Sequence, residues 1–279
     1  MRKGWTILLG VMLSLLIGCG AQPAAQTAQP EVSTAEVTQP QEAEQQTEEA
    51  VRQPQEAEQQ ETAAAEKNFL VAIDPGHQAW DVDMSAKEPN APGSSVMKAK
   101  ATTGTSGRFS GLGEYELNMD VALLVRDELE AMGFQTLLTR EDNETAISNA
   151  ERAQMANDAG ADIYVRIHAN GSEDSSVSGA LMLVPSAQNP YVGSLAAQSE
   201  MLANCILNAY CAQTGFSNQG LQYNDTMTGI NWSKVPVALI EMGFMTNEHD
   251  DSAMAKPEFQ KVMAKGIAEG IRTYYEQIQ

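Results

Sequence analysis

The chain has 279 residues, with 37 acidic against 17 basic side chains, a formal net charge of −20 at pH 7 and 43% hydrophobic residues. That length accommodates one large domain or two small ones. A charge this negative argues against nucleic acid or an anionic membrane surface as a partner.

Residues 1–19 (MRKGWTILLGVMLSLLIGC) place Arg2 and Lys3 before an apolar run over 5–17. This is the pattern of a bacterial export signal, with an apolar core too short to span a bilayer comfortably as a mature helix. Leu16-Ile17-Gly18-Cys19 resembles a lipobox, in which cleavage before Cys19 leaves that residue to carry a diacylglyceryl thioether. Two or three acyl chains, at about 0.8 kcal/mol per buried CH₂, make a lasting membrane anchor. The alternative is an ordinary secretory signal with a coincidental cysteine. Residues 20–67 change character: they are rich in Gln, Glu, Ala, Thr and Pro, contain no aromatic residue, and repeat QPQEAEQQ at 39–46 and 53–60. Ten acids against Arg52 and Lys67 give this segment a net charge of −8. It has too little apolar surface to offset backbone entropy and is expected to be a disordered spacer. Such a spacer reaches roughly 160–180 Å when stretched and spans nearer 40 Å as a coil.

The remaining residues, 68–279, hold 27 acids and 13 bases, net −14, and are long enough for one substantial core. Residues 69–73 (FLVAI) read as a buried strand ending at the D-P-G turn of 74–76. A polar stretch over 78–113 follows, longer than loops in compact domains usually run unless they are functional or mobile. The apolar residues Leu117, Val121, Leu124, Val125, Leu129 and Met132 form a helical stripe over 115–132, closed by Gly133. Residues 134–138 are a second strand, 146–159 a helix stopped by Gly160, and 162–167 (DIYVRI) a third strand leading into His168. A fourth strand is expected at 179–184, a long helix at 191–213, a fifth strand at 237–240 leading into Glu241, and a last helix near 257–277. Cys205 and Cys211 fall six apart in one predicted helix on different faces, so pairing them would break that helix. Both are read as structural.

Strands alternating with helices predict an α/β domain: a mostly parallel central sheet flanked by helices on both faces. In such sheets ligand sites gather at the carboxyl ends of the strands. Three of those ends carry reactive side chains: His77, His168 and Glu241. No local metal motif such as H-E-x-x-H is present, so the inference rests on position in the fold. A catalytic zinc site needs about three N or O ligands and an open position. Two imidazoles and one carboxylate meet that need, with Glu114 and Glu116 both acidic candidates at the start of the helix after the long loop. Packed or purely catalytic histidines are the competing reading.

Five segments occur in order: D-P-G-H (74–77), E-x-x-x-N (114–118), T-R (139–140), I-H-A-N (167–170) and V-P-V-A-L-I-E-M-G-F-M-T-N (235–247). Together they resemble the zinc-dependent N-acetylmuramoyl-L-alanine amidases, the type 3 amidases among bacterial cell-wall hydrolases, over nearly all of 68–279. The resemblance implies Zn²⁺ held by His77, Glu114 and His168, with Glu241 as the catalytic carboxylate. It leaves Glu116 as an exposed helix acid, or a ligand if the match slips. His249, in the polar run NEHDD, matches no ligand and is read as solvated. The implied reaction is hydrolysis of the amide between N-acetylmuramic acid and the L-alanine of the stem peptide by zinc-activated water. The alternatives are a zinc peptidase cutting within the stem and a catalytically inactive wall-binding lipoprotein.

Two features depart from the family pattern. Thirty-six residues separate His77 from Glu114, so the groove geometry there does not transfer and the segment could shape, cover or inhibit the site. Arg166 stands where many members carry a small residue, and is expected either to meet a stem-peptide carboxylate or to form a structural ion pair. Arg140 is read as a structural ion pair, and Asn170 as fixing His168 or touching substrate. Peptidoglycan is the expected partner and the membrane a second one, through lipidated Cys19. The chain is expected to be a monomer, extracytoplasmic and facing the cell wall.

Overall fold

A computed structural model describes residues 68–279; the expected export signal, Cys19 and the 20–67 spacer lie outside the described residues. The described residues form eight strands: β1 Leu70–Pro75, β2 Lys87–Pro89, β3 Met97–Ala99, β4 Gln135–Leu138, β5 Ile163–Asn170, β6 Ala180–Val184, β7 Asn218–Tyr223 and β8 Val237–Phe244. The helices are α1 Glu114–Ala131, α2 Asn149–Asp158, α3 Ala196–Thr214, α4 Thr228–Asn231, α5 Glu248–Met254 and α6 Pro257–Ile278. Six strands make one sheet in the order β4-β1-β5-β8-β6-β7. All neighbours run parallel except β6 and β8, which pair antiparallel.

Period-two alternation sorts the strands onto two cores. Val71, Ile73, Ile163, Val165, Ile167, Ala238 and Ile240 face one side, under the apolar stripes of α1, α3 and α6. Ala72, Tyr164, Leu181, Leu183, Val237 and Leu239 face the other, covered by Ala153 and Ala156 of α2 and Ile230 of α4. Helices therefore flank both faces, three long ones on the first and shorter ones on the second. The chain leaves β1 through α1 on one face to reach β4, then returns through α2 on the other face to β5. The winding of the chain across the sheet thus reverses between the parallel strands β1 and β5, and the carboxyl ends of these two strands flank the crevice where ligands bind in such folds.

The 78–113 stretch is not a structureless loop. It contains the two-stranded antiparallel β2–β3 hairpin, whose three-residue strands carry no apolar alternation for a sequence reading to detect. Strand β7 also escapes a hydrophobic pattern, because it is an edge strand with mostly exposed side chains. Helix α2 starts at Asn149 rather than near 146, since Ser148 caps it by accepting from Glu151 N–H while Glu151 accepts from Ser148 N–H. Cys205 and Cys211 lie on α3 as free thiols. Among the described residues, no helix is long and apolar enough to cross a membrane.

Candidate metal centre and active-site cleft

The D-P-G-H turn brings His77 back over the top of the sheet. Its backbone adopts φ 64°, a left-handed conformation that costs a residue with a Cβ on the order of 1–2 kcal/mol. Two arginines clamp the turn. Arg140 donates to the carbonyls of Pro75 and Gly76 at 2.8 and 2.9 Å. Arg152 donates to those of Pro75 and His77 at 2.6 and 2.9 Å. Gly76 is required because any β-carbon there would overlap the His168 ring.

Beneath the turn, Asp74 is fully buried and accepts from Thr139 Oγ1 (2.6 Å), Arg152 (3.0 Å), Tyr164 Oη (2.9 Å) and Arg166 Nε (2.7 Å). Burial opposes its ionisation, but the two guanidinium charges and the hydrogen bonds outweigh that and hold the carboxyl well below its ordinary value. Arg166 is thus a structural ion pair with Asp74, one of its two expected roles. Its Nη2 also donates to Asn149 at 2.7 Å, and its side chain lines the cleft described below. Arg140 departs from expectation: among the described residues its partners are carbonyl groups and the Asn143 side chain, not a carboxylate.

His77, Glu114 and His168 converge. Glu114, the first residue of α1, places Oε1 at 3.1 Å from His77 Nε2 and at 3.1 Å from His168 Nδ1. One ligand atom from each residue lies within 4.8 Å of the others, a group that could hold a metal ion. Glu114 is fixed by Thr105 N–H (2.9 Å) and Ala169 N–H (3.2 Å). Asn118, one helical turn on, donates to Glu114 and to the Gly76 carbonyl, which gives the E-x-x-x-N spacing its physical meaning. Glu116 does something else: its Oε2 accepts from Gly113 N–H at 2.8 Å and caps α1.

The protonation pattern suits a metal. His77 Nδ1 lies 2.8 Å from the Thr102 carbonyl, which can only accept, so Nδ1 carries the proton and Nε2 offers its lone pair. Thr102 sits in the long insertion, where no sequence signal marks it. Burial lowers the His168 pKa to about 4, so that imidazole is neutral near pH 7. Its buried Nε2 has no hydrogen-bond partner. Burial opposes ionisation of Glu114, but the hydrogen bond from His168 and the imidazoles beside it outweigh that and hold the carboxyl below its ordinary value.

Glu241 stands beside this group without joining it. It is the register partner of His168 across the β5–β8 pair, so both side chains leave the same face at the same level. Its Oε2 is buried with no partner. Burial first, then the nearby Glu114 charge, raises its carboxyl well above the ordinary value. All four residues line one cleft of about 570 Å³. Asn170 lines it too, but its Oδ1 accepts from Gly171 N–H rather than fixing His168. His249 lies away from the cleft with a largely exposed side chain.

A family model described as N-acetylmuramoyl-L-alanine amidase matches residues 71–273. The chain belongs to that family. It is 32% identical to the N-acetylmuramoyl-L-alanine amidase LytC of Bacillus subtilis over 60% of this chain, a match spanning only 32% of LytC. The Mycobacterium tuberculosis amidase Rv3717 is 28% identical over 75% of this chain and 88% of its own length. Among solved structures, the amidase Ami1 from Mycobacterium smegmatis superposes with a TM-score of 0.68 at 27% identity, covering 75% of this chain and 98% of that one. This amidase-family chain therefore carries the family's fold around a His–Glu–His group, with the β2–β3 hairpin forming part of its cleft wall.

Proposed function

We propose that the chain is a zinc-dependent peptidoglycan hydrolase that cleaves the amide between N-acetylmuramic acid and the L-alanine of the stem peptide. The convergence of His77, Glu114 and His168 beside an unpartnered Glu241, in a chain of this family, carries the reading. Two imidazole nitrogens and one carboxylate oxygen are a donor set suited to zinc. When bound, zinc supplies Lewis acidity, polarising a carbonyl and lowering the pKa of water from 15.7 toward about 7.

The chain's own residues do the rest. Thr102 holds the His77 tautomer, Ala169 N–H and Asn118 orient Glu114, and the clamped turn fixes the spacing of the two rings. Glu241 takes the proton of the attacking water at its free carboxylate oxygen. As the new C–O bond forms and the C–N bond breaks, it returns that proton to the departing L-alanine nitrogen. The products are a muramyl carboxylic acid and a free stem-peptide amine. The same reading places the enzyme outside the cytoplasmic membrane, tethered through Cys19 if the lipobox at 16–19 is processed.

The test is product analysis. The full chain is incubated with muropeptides, with chelator and with restored zinc, and the products are identified by mass. Release of a stem peptide beginning with L-alanine, abolished by chelator and recovered with zinc, is expected. Cleavage inside the stem would replace this reading with a zinc peptidase, and no cleavage by folded, zinc-loaded chain would reject hydrolysis.

A further inference from the structure

The insertion between His77 and Glu114 builds one wall of the cleft. Lys87, Met97, Lys98 and Ala99 of the hairpin line it, facing Met227, Thr228 and Gly229. This wall is docked in place. Asn149 N–H and its side-chain amide both donate to the Lys100 carbonyl, at 2.8 and 2.9 Å. Trp232 Nε1 donates to the Pro89 carbonyl at 3.0 Å. The buried Glu88 carboxylate accepts from Ala150 N–H at the start of α2. Lys98 donates to the Thr226 carbonyl.

The charge on this wall is unusual for the domain. Residues 68–279 carry a net −14, yet the cleft lining contains Lys87, Lys98 and Arg166 against only Glu114 and Glu241. Arg166 is engaged by Asp74, and Glu114 by the two histidines. Among the described residues neither lysine lies in an ion pair. Glu88 is the cross-strand partner of Lys98, but its carboxylate is turned onto α2. The Thr226 carbonyl is a neutral acceptor and satisfies one of the three ammonium donors on Lys98. Two cations without an ion-pair partner therefore sit on a preorganised wall of the same cleft as His77, Glu114, His168 and Glu241, in a protein whose overall field repels anions.

From this arrangement we infer that the hairpin is the specificity wall for the peptide arm of the substrate, with Lys87 and Lys98 reading its carboxylates. The ligand class is an acidic peptide. This rests on the amidase reading for what is cleaved, but the recognition stands on the lysines alone. Charge-assisted hydrogen bonds confer both attraction and register, and a pocket built to pair with a carboxylate discriminates against the neutral analogue.

The experiment compares two soluble muropeptides that differ only in free or amidated stem carboxylates, using zinc-loaded full chain. In parallel, calorimetry measures binding of the acidic stem peptide. The Lys87→Met/Lys98→Met double variant is expected to raise KM for the free acid about tenfold. Its kcat is expected to hold within about twofold, with KM for the amidated substrate little changed and the stem peptide bound about tenfold more weakly. Lys98→Arg is expected to restore part of the preference. An unchanged ratio of the two KM values, or a fall in kcat shared by both substrates, would overturn the proposal in favour of a structural hairpin. Lysine-dependent binding of the peptide by a chain that cleaves neither substrate would uphold the wall and reject the amidase reading. Cleavage of both substrates with lysine-independent peptide binding would do the reverse.

Discussion

His77 and Glu241 illustrate how differently two site residues are made. His77 is held by what surrounds its backbone: a left-handed φ, three arginine-clamped carbonyls and a glycine before it that leaves room for His168. Glu241 is held by strand register alone, level with His168 on the neighbouring strand, with one oxygen free of any partner. Their variants should therefore fail in different ways. Glu241→Gln keeps the shape and removes the proton acceptor, so zinc content should stay at the level of the parent while turnover falls by about 10²–10⁴-fold. His77→Ala removes a ligand, so zinc and turnover should be lost together. Metal analysis beside a rate assay reads both; a Glu241→Gln protein that keeps zinc and most of its activity would remove Glu241 from the mechanism. Residue identity and motif order singled out His77, Glu114, His168 and Glu241 in the sequence, and the fold brings all four to one cleft. Thr102, Asn118 as a bridge to Gly76, and Lys98 as a cleft residue were not legible, because each acts through a contact made across long chain separation.

At the scale of elements, periodicity reported α1, α3 and α6 well, because each buries a continuous apolar stripe on the sheet. It could not report how closely two of them approach. Gly270 of α6 packs so tightly on α3 that a β-carbon would overlap Ile206 Cα, and one at Gly266 would lie 2.8 Å from Tyr210 Cα. Two effects compete at Gly270. Alanine is the better helix former by about 1 kcal/mol, while overpacking a tight interface costs typically about 1–3 kcal/mol. Because the obstructing atom is backbone rather than a flexible side-chain end, the clash should win. Gly270→Ala is expected to lower stability by about 1–2 kcal/mol, read as a lower midpoint in thermal or urea unfolding. A stabilised variant would mean that the two helices separate at little cost. The β2–β3 hairpin is the opposite case: its strands are too short and polar to announce themselves, and its place is set by docking onto α2 and Trp232.

For the whole molecule, the reversal of chain winding between β1 and β5, with β8 parallel beside β5, gathers the site from residues 77, 114, 168 and 241, which no short segment of the chain could assemble. A metal held at such a place binds the folded state and not the unfolded chain, so it couples to global stability. At a zinc concentration about a hundred times Kd the linkage amounts to roughly 2.7 kcal/mol. Thermal unfolding of the full chain should shift upward with zinc and fall back with chelator, and His77→Ala should abolish that shift. A zinc-independent midpoint in the parent chain would count against the metal centre.

Taken alone, the order of apolar runs, turn residues and motifs determined the α/β class, the mostly parallel sheet, the place of His77 just after β1, and the resemblance that the family match upheld; it ended β5 and β8 too early, since His168 and Glu241 lie within those strands. These are properties of local pattern and chain order, which sequence carries directly. Only the tertiary structure decided that Glu114 faces the histidines while Glu116 caps its helix, that Arg166 pairs with Asp74, that β6 runs against β8, and that the insertion after His77 forms a lysine-bearing wall. Each of those outcomes is set by contacts between segments distant in sequence, where burial, register and charge pairing choose among partners that the local pattern leaves equivalent.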